Sequence, residues 1–192
     1  MPTWSATRRQ LARRGLLDAA GDVIAERGWP SASVHHIGQR AGLSRGAVNY
    51  HFGTREQLLD EVLDDLIARH RAAWADDPDP PALEDLLDRI WAVVADDPRG
   101  TRLATMLFYE SLGPSPHLTD RSRWARRELV AALEAQLRRL QFNGKLRSDA
   151  DCRSAAAFLV SALAGLTADS DRDAAAALGY AELRATLVAR LA

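Results

Sequence analysis

Five histidines are the side chains of this 192-residue chain best suited to bind a metal or move a proton. Helical zinc sites pair histidines four positions apart, because that spacing places both imidazoles on one face. His35 and His36 are adjacent and point about 100° apart on a helix, and no pair has the four-residue spacing. Cys152 is the only cysteine, so it can form no disulfide within the chain. The sequence therefore predicts no metal site.

A hydrolytic triad needs a hydroxyl, an imidazole and a carboxylate, and one short segment contains all three. The residues are Ser111, Ser115, His117 and Asp120. No G-x-S-x-G elbow exposes a nucleophile, and neither glycine-rich nucleotide-binding pattern occurs in the sequence. A loop between two helices accounts for this segment, so we expect neither enzyme activity nor a cofactor.

The stretch AGLSRGAVNYHF, residues 41–52, contains side chains suited to nucleic acid. If Val48 and Phe52 face inward on a helix, a polar and slim surface remains outside. An arginine fork matches guanine O6 and N7, an asparagine amide can serve a base edge or a phosphate, and small residues permit close approach. The outer face consists of Arg45, Gly46, Ala47, Asn49, Tyr50 and His51.

Helices must position these side chains, because apolar residues recur with helical spacing throughout the chain and no sustained alternating pattern occurs. Clusters of turn-forming residues break the chain at eight places and leave about nine helical segments. The breaks are at 27–31, 41–44, 52–54, 76–81, 96–100, 113–117, 142–149 and 169–173. The sequence predicts an all-α fold.

Capping residues divide the N-terminal region into short helices. Ser33 precedes a predicted helix over 34–41, and Ser44 precedes another over 45–51, with Gly42 suited to a left-handed turn between them. A T-x-x-Q capping box begins at Thr54, ahead of a long leucine stripe. Two short helices joined by a tight turn make a helix-turn-helix, which places its second helix in the DNA major groove.

Charge is distributed unevenly along the chain. Residues 1–55 contain eight arginines and three acidic residues, a net charge of +5, whereas the whole chain has −1. A basic N-terminal segment suggests a polyanion as partner. No apolar run approaches the length of a membrane span, and arginines and acids interrupt any signal-peptide core. We therefore expect a cytoplasmic protein without membrane association.

The segments LLDAAGDVIAERGW and SVHHIGQRAGLSRGAVNYHFGTREQLLDEVL resemble the TetR-type bacterial transcriptional regulators. The resemblance covers about residues 8–66 and implies a three-helix DNA-binding domain. It implies that Arg45 begins the recognition helix after Ser44, that Gly46 approaches DNA, and that His51 and Arg55 contact the phosphate backbone. Ser33 takes the place of a threonine that caps a helix and touches phosphate. Asn49 stands where the family usually has tyrosine, and neighbouring Tyr50 could replace that contact.

The segment LATMLFYESL, residues 103–112, is apolar nearly all round, and we expect it to be buried on every side. With neighbouring aromatic residues it could line a cavity for a small apolar or aromatic effector. A filled core is the alternative, and the resemblance favours a pocket. The candidate pocket residues are Trp91, Met106, Phe108, Tyr109 and Trp124.

The last two helical segments present apolar faces that could meet a second copy of the chain. Small residues on the first allow close approach, and leucines form a row on the second. The candidate interface residues are Ala156, Leu159, Val160, Leu163, Leu183, Leu187 and Leu191. A homodimeric four-helix bundle is the arrangement implied by the resemblance.

These observations predict a helix-turn-helix domain over 1–53, a connecting helix over 54–75 and a ligand-binding and dimerisation domain over 76–192. The predicted function is a DNA-binding transcriptional regulator, a ligand-responsive repressor that binds a pseudo-palindromic double-stranded operator as a homodimer. Two alternatives stay open. One is a DNA-binding regulator without an effector. The other is an all-helical enzyme or carrier in which the helix-turn-helix has only a structural role.

Overall fold

The computed structural model describes residues 4–75, 82–167 and 172–192, and over these ranges the chain is helical without a strand. The predicted all-α fold of about nine helices is confirmed. The described helices are α1 (Trp4–Arg27), α2 (Val34–Arg40), α3 (Arg45–Phe52), α4 (Arg55–Ala75), α5 (Leu83–Asp96), α6 (Pro98–Glu110), α7 (Pro116–Phe142), α8 (Cys152–Leu166) and α9 (Arg172–Leu191). The predicted break at 76–81 lies outside the described residues. Residues 169–171 of the predicted break at 169–173 lie outside them as well.

Side-chain caps are present at the start of both helices of the helix-turn-helix, α2 and α3, as the sequence predicts. The Ser33 hydroxyl accepts a hydrogen bond from the His36 N–H at 3.2 Å, and the Ser44 hydroxyl accepts one from the Ala47 N–H at 3.3 Å. Each bond satisfies a backbone donor that has no partner within its helix. The caps therefore fix where α2 and α3 start.

A glycine turn joins α2 to α3. Gly42 has φ +67°, in the left-handed region that favours glycine. The Gly42 N–H donates to the Gln39 carbonyl at 3.1 Å and the Leu43 N–H to the Gly38 carbonyl at 2.8 Å, which is the Schellman pattern. A Cβ on Gly38 would lie 3.0 Å from the Leu43 carbonyl oxygen, so this glycine lets the turn close tightly over α2.

The T-x-x-Q capping box forms at the start of α4. The Gln57 N–H donates to the Thr54 hydroxyl at 3.1 Å, and the Thr54 N–H donates to the Gln57 side-chain oxygen at 3.0 Å. Two backbone donors are thus satisfied reciprocally. Gly53, with φ +74°, ends α3 immediately before this box.

The chain forms two compact units that are discontinuous in sequence. The first comprises residues 1–65 and 106–122, and the second comprises 66–105 and 123–192. The three domains predicted from the sequence are each continuous along the chain, unlike these two units. The functional division into 1–53, 54–75 and 76–192 stays a prediction. None of the described helices is both long and apolar enough to cross a bilayer.

The core of the first unit joins the hairpin to its neighbouring helices. Ile37 from α2 and Val48 and Phe52 from α3 are buried, and they share this unit with buried apolar residues of α1 and α4. Burying one such side chain contributes about 1.5–3 kcal/mol. The residues from α1 and α4 are Leu16, Leu17, Ala20, Val23, Ile24, Leu58, Leu59, Val62 and Leu63.

Residues 106–122 make polar contacts with the rest of the first unit. The Glu110 carboxylate accepts a hydrogen bond from the Trp29 N–H at 2.7 Å. On α4, Asp60 lies 3.0 Å from the imidazole of His117 and 2.7 Å from the Arg121 guanidinium. These contacts connect residues 57 to 81 positions apart in the sequence.

The second unit has a leucine-rich core formed by α5, α7, α8 and α9. At its edge the Trp91 ring stacks on Tyr180, with ring centroids 4.5 Å apart. The Tyr180 hydroxyl donates to Asp88 at 2.7 Å, and Arg184 donates to both oxygens of the same carboxylate at 2.8 and 3.0 Å. Burial and the hydrogen bond to Asp88 raise the pKa of Tyr180, so this hydroxyl stays a donor at neutral pH.

The structure corrects the expected dimer faces of α8 and α9. Five of the seven candidate residues lie in the chain's own core: Ala156, Leu159, Leu183, Leu187 and Leu191. They pack in a cluster with leucines of α5 and α7, so little of their surface is left for a second copy. Leu183 is the exception among the five, because it also lines a surface groove. Val160 and Leu163 are partly buried against the same cluster.

The expectation that residues 103–112 are buried on every side is wrong. Leu103 and Leu107 are buried, whereas Phe108 is 38% exposed, Tyr109 51% and Leu112 73%. Leu103 and Leu107 are four positions apart and share one face of α6, while the next residues turn toward the opposite side. The apolar residues of α6 therefore do not all enter a core.

Leu187 tests the reassignment of the α9 leucines. We expect Leu187→Ala to lower the free energy of unfolding by about 2–5 kcal/mol, because it leaves a cavity in a packed core. Leu178→Ala is the matched control, since Leu178 is on the same helix and 73% exposed. Denaturant unfolding followed by circular dichroism measures both. Equal effects of the two substitutions would contradict the placement of Leu187.

Candidate nucleic-acid interface

The outer face of α3 is exposed and polar, as the sequence predicts. Arg45, Gly46, Asn49 and Tyr50 are exposed, with Tyr50 70% accessible, whereas Ala47 is half-buried. Val48 and Phe52 on the opposite side are buried, which fixes the rotation of the helix about its axis. One side of α3 anchors it, and the other faces solvent.

Arg45 and Asn49 stand one helical turn apart on this face. Within the described part of the chain, neither side chain has a hydrogen bond or an ion pair with another residue. Their donors and acceptors are therefore available to a partner. An arginine fork and an asparagine amide are the side chains that bind the major-groove edges of guanine and adenine in two places at once.

Aromatic rings extend the same surface toward the end of α3. The Tyr50 and His51 rings meet edge to face, with centroids 5.1 Å apart, and His51 is half-buried. The contact restricts the orientation of both rings. The Tyr50 hydroxyl and the His51 imidazole can each donate a hydrogen bond to a phosphate oxygen.

The two capping serines retain a donor for an external acceptor. Each hydroxyl oxygen of Ser33 and Ser44 accepts a hydrogen bond from its own helix. A hydroxyl also carries one proton, which remains able to bond outward. Capping and phosphate contact are therefore compatible at both positions.

Arg55 has an internal role that the sequence did not reveal. Its guanidinium donates to the backbone carbonyls of Ala32, at 3.0 Å, and Trp29, and lies over the Trp29 ring at 3.9 Å from the centroid. Burial lowers the pKa of Arg55, and the charges of Glu56 and Glu110 partly offset that effect. An arginine with this environment holds the α1–α2 connection against α4. The phosphate contact expected of Arg55 stays a prediction.

Arg40 is also engaged within the protein. It pairs with Glu26 and Asp22 of α1, and the hydrogen bond that it donates to the Glu26 carboxylate raises the pKa of Arg40. This exposed contact ties the end of α2 to α1. Surface pairs of this kind contribute little to stability, because solvent screens them.

The structure changes the charge balance of the N-terminal region. Residues 1–65 contain eight arginines and eight acidic residues, because α4 adds Glu56, Asp60, Glu61, Asp64 and Asp65. The +5 of residues 1–55 is thus cancelled within the same unit. Attraction of a polyanion therefore depends on which surface of the unit carries the arginines, and not on the net charge of the unit.

The other candidate sites are more dispersed. The described residues contain no group of three or more potential metal ligands close together. Of the candidate pocket residues, Met106, Phe108 and Tyr109 belong to the first unit, whereas Trp91 and Trp124 belong to the second. One face of the Trp91 ring is covered by Tyr180.

An apolar groove runs between the outer sides of α8 and α9. Phe158, at its edge, is 51% exposed. Gly179 faces the Leu166 side chain across the groove, and a Cβ there would require that side chain to move. The groove residues are Phe158, Ala162, Gly165, Leu166, Gly179, Glu182, Leu183 and Thr186.

Comparison with known proteins points to one family for the N-terminal region. Residues 16–62 match the model of "Bacterial regulatory proteins, tetR family". The repressor KstR2 of Rhodococcus jostii is 38% identical over 63 residues, which is 31% of this chain and 31% of KstR2. The regulator BetI of Burkholderia thailandensis is 39% identical over 77 residues, 36% of this chain and 40% of BetI. The chain thus matches about a third of the length of these relatives.

Solved structures extend the similarity of fold to nearly the whole chain. Salmonella enterica GusR superposes with a TM-score of 0.82 at 24% identity, over 93% of this chain and 94% of GusR. SmeT, solved with triclosan, superposes with a TM-score of 0.74 at 26% identity, over 94% of this chain and 91% of SmeT. A separate SmeT structure is described as the repressor of a Stenotrophomonas maltophilia multidrug efflux pump.

Arg55→Lys tests the internal role of Arg55. Lysine keeps the charge but cannot bridge two carbonyls or stack as a plane on Trp29. We expect a loss of about 1–3 kcal/mol in unfolding free energy, together with faster hydrogen exchange in residues 28–33. Arg9→Lys, at an exposed position of α1, is the control. Unchanged stability and unchanged hydrogen exchange in the Arg55 variant would rule out the proposed internal role of Arg55.

Proposed function

We propose that this chain, which belongs to the tetR family of bacterial regulatory proteins, is a transcriptional repressor that binds operator DNA as a homodimer and is released by a small effector. The proposal covers the whole protein, whereas the matched relatives share about a third of their length with it. A protein with this role works where the chromosome is, and we place it in the cytoplasm.

The observation that carries the proposal is the exposed face of α3. A helix that is anchored on one side by Val48 and Phe52 presents Arg45 and Asn49 outward without internal partners. A helix can enter the major groove and read base edges there. Ser33, Ser44, Tyr50 and His51 are proposed phosphate contacts beside it, and Gly46 and Ala47 permit close approach.

A second copy of the chain is proposed to cover the groove between α8 and α9. The groove is lined mainly by apolar and small residues, and Ala162, Gly165 and Gly179 allow helices of a partner to pack closely. Phe158 is a large apolar side chain exposed at its edge. A two-fold dimer presents two α3 helices to the two halves of a pseudo-palindromic operator.

A small apolar or aromatic molecule is the proposed effector. Support comes from SmeT, a repressor of the same fold that was solved in complex with triclosan. An effector shifts the equilibrium only if it binds the form unable to hold the operator more tightly than the competent form. We propose that α4 transmits this shift. The five candidate pocket residues stay a prediction.

Arg45→Ala tests the recognition helix. We expect affinity for the upstream region of the chain's own gene to fall by about 5- to 150-fold, because one bidentate base contact is worth ~1–3 kcal/mol. Gel shifts over a range of salt concentrations measure the affinity, and wild-type binding should weaken steeply with salt. Arg153→Ala removes the same charge from an exposed position of α8 and should bind normally. A flat response to Arg45→Ala would reject the recognition-helix assignment.

Phe158→Arg tests the dimer. A charge placed in an apolar groove must be desolvated when a second copy packs on it, so we expect a monomer at concentrations where the wild type is a dimer. Sedimentation velocity measures the oligomeric state. The control is Phe142→Arg, since Phe142 ends α7 and is 91% exposed without lining the groove. Dissociation by the Phe142 variant alone would place the interface elsewhere.

A further inference from the structure

Asn49 occupies a position on α3 from which a short side chain can reach a base. It lies four residues after Arg45 on the exposed face, and the two side chains are neighbours on the helix surface. Its backbone carbonyl accepts the Gly53 N–H at 2.9 Å, so the residue is held in the last turn of the helix. Its amide has no hydrogen bond with any other described residue.

Gly46, which follows Arg45 and is exposed like Arg45 and Asn49, is not required by the protein itself. Gly46 does not have a positive φ, so its backbone conformation is open to any residue. A Cβ at this position would contact only the Ser44 hydroxyl, at an ordinary distance of 3.6 Å. Glycine nevertheless weakens a helix relative to alanine. A bare backbone on an exposed helix face is useful when something outside must come close, and close approach is what a side chain as short as asparagine needs in order to reach the floor of a groove.

The chemistry of an amide distinguishes a base from a phosphate. Asparagine offers a donor and an acceptor side by side, and adenine presents the complementary pair, N7 and the N6 amino group, in the major groove. A phosphate offers acceptors only, so it can bond the NH₂ group of the amide but leaves the amide oxygen without a donor. Arginine and tyrosine side chains already present at Arg45 and Tyr50 can supply donors to phosphate from the same helix.

The charge of the first unit favours base contacts as well. Residues 1–65 have no net charge, and Arg40 and Arg55 are engaged internally. Binding driven by phosphate neutralisation increases with the number of free cations that a protein presents. With several arginines committed to the protein, base contacts must supply a larger share of operator affinity.

We propose that Asn49 is a specificity-determining residue that reads an adenine in each operator half-site, next to the base bound by Arg45. The proposal rests on the proposed DNA-binding function and adds to it the identity of one base.

Selection from a random duplex library with the full-length protein tests the proposal without a known operator. The wild type should enrich a two-fold site with adenine at one fixed position in each half. Asn49→Ala should lose the preference at that position alone, and its affinity for the wild-type site should fall by about 5- to 150-fold with an unchanged salt slope. Asn49→Asp, whose carboxylate only accepts, should shift the preference from adenine toward cytosine.

Gln39→Ala is the matched control, because it removes an exposed amide from α2 and should leave the selected site unchanged. Thermal unfolding verifies that each variant is folded, as expected at exposed positions. If the Asn49→Ala variant selects the wild-type site with every preference intact, the inference is wrong while DNA binding stands. If the wild type enriches no sequence, the proposed function fails and the inference fails with it.

Discussion

The N-terminal unit depends on holding two helices that are too short to be stable alone. α2 has seven residues and α3 has eight, whereas isolated helices below about 12–15 residues are marginal in water. Their stability must come from side-chain caps, from the turn at Gly42 and from the burial of Ile37, Val48 and Phe52. Because these few contacts anchor one side of α3, its outer side is free to carry residues that contribute nothing to folding.

Features whose partners are near in sequence could be predicted, and features with distant partners could not. Ser33, Ser44 and Thr54 cap helices through bonds to residues three positions later, so short patterns were sufficient. The leucines of α9 repeat every four residues whether they face a twin or their own chain. Their burial against α5 depends on residues about a hundred positions away, as does the Arg184–Asp88 pair. Periodicity identifies a buried face but not what covers it.

The candidate site shows the same limit for electrostatics. Arg55 carries the charge and position expected of a phosphate contact, yet the carbonyls of Trp29 and Ala32 engage it, and no local pattern encodes those acceptors. The +5 of the N-terminal segment likewise depended on ending the count before α4. Once the fold brings the acids of α4 into the same unit, net charge no longer distinguishes this unit. Residue types on α3 were predictable, whereas their electrostatic surroundings required the fold.

Glu110 makes the N-terminal unit indivisible by a single cut of the chain. The Trp29 peptide is held on both sides, its N–H by Glu110 and its carbonyl by Arg55, and Glu110 arrives from 81 residues further along. Residues 1–65 alone would leave that N–H without its carboxylate and Asp60 without His117 and Arg121. The region that matches the family model, residues 16–62, therefore omits part of the compact unit to which it belongs. Moving this unit intact into another protein would mean carrying residues 106–122 with it.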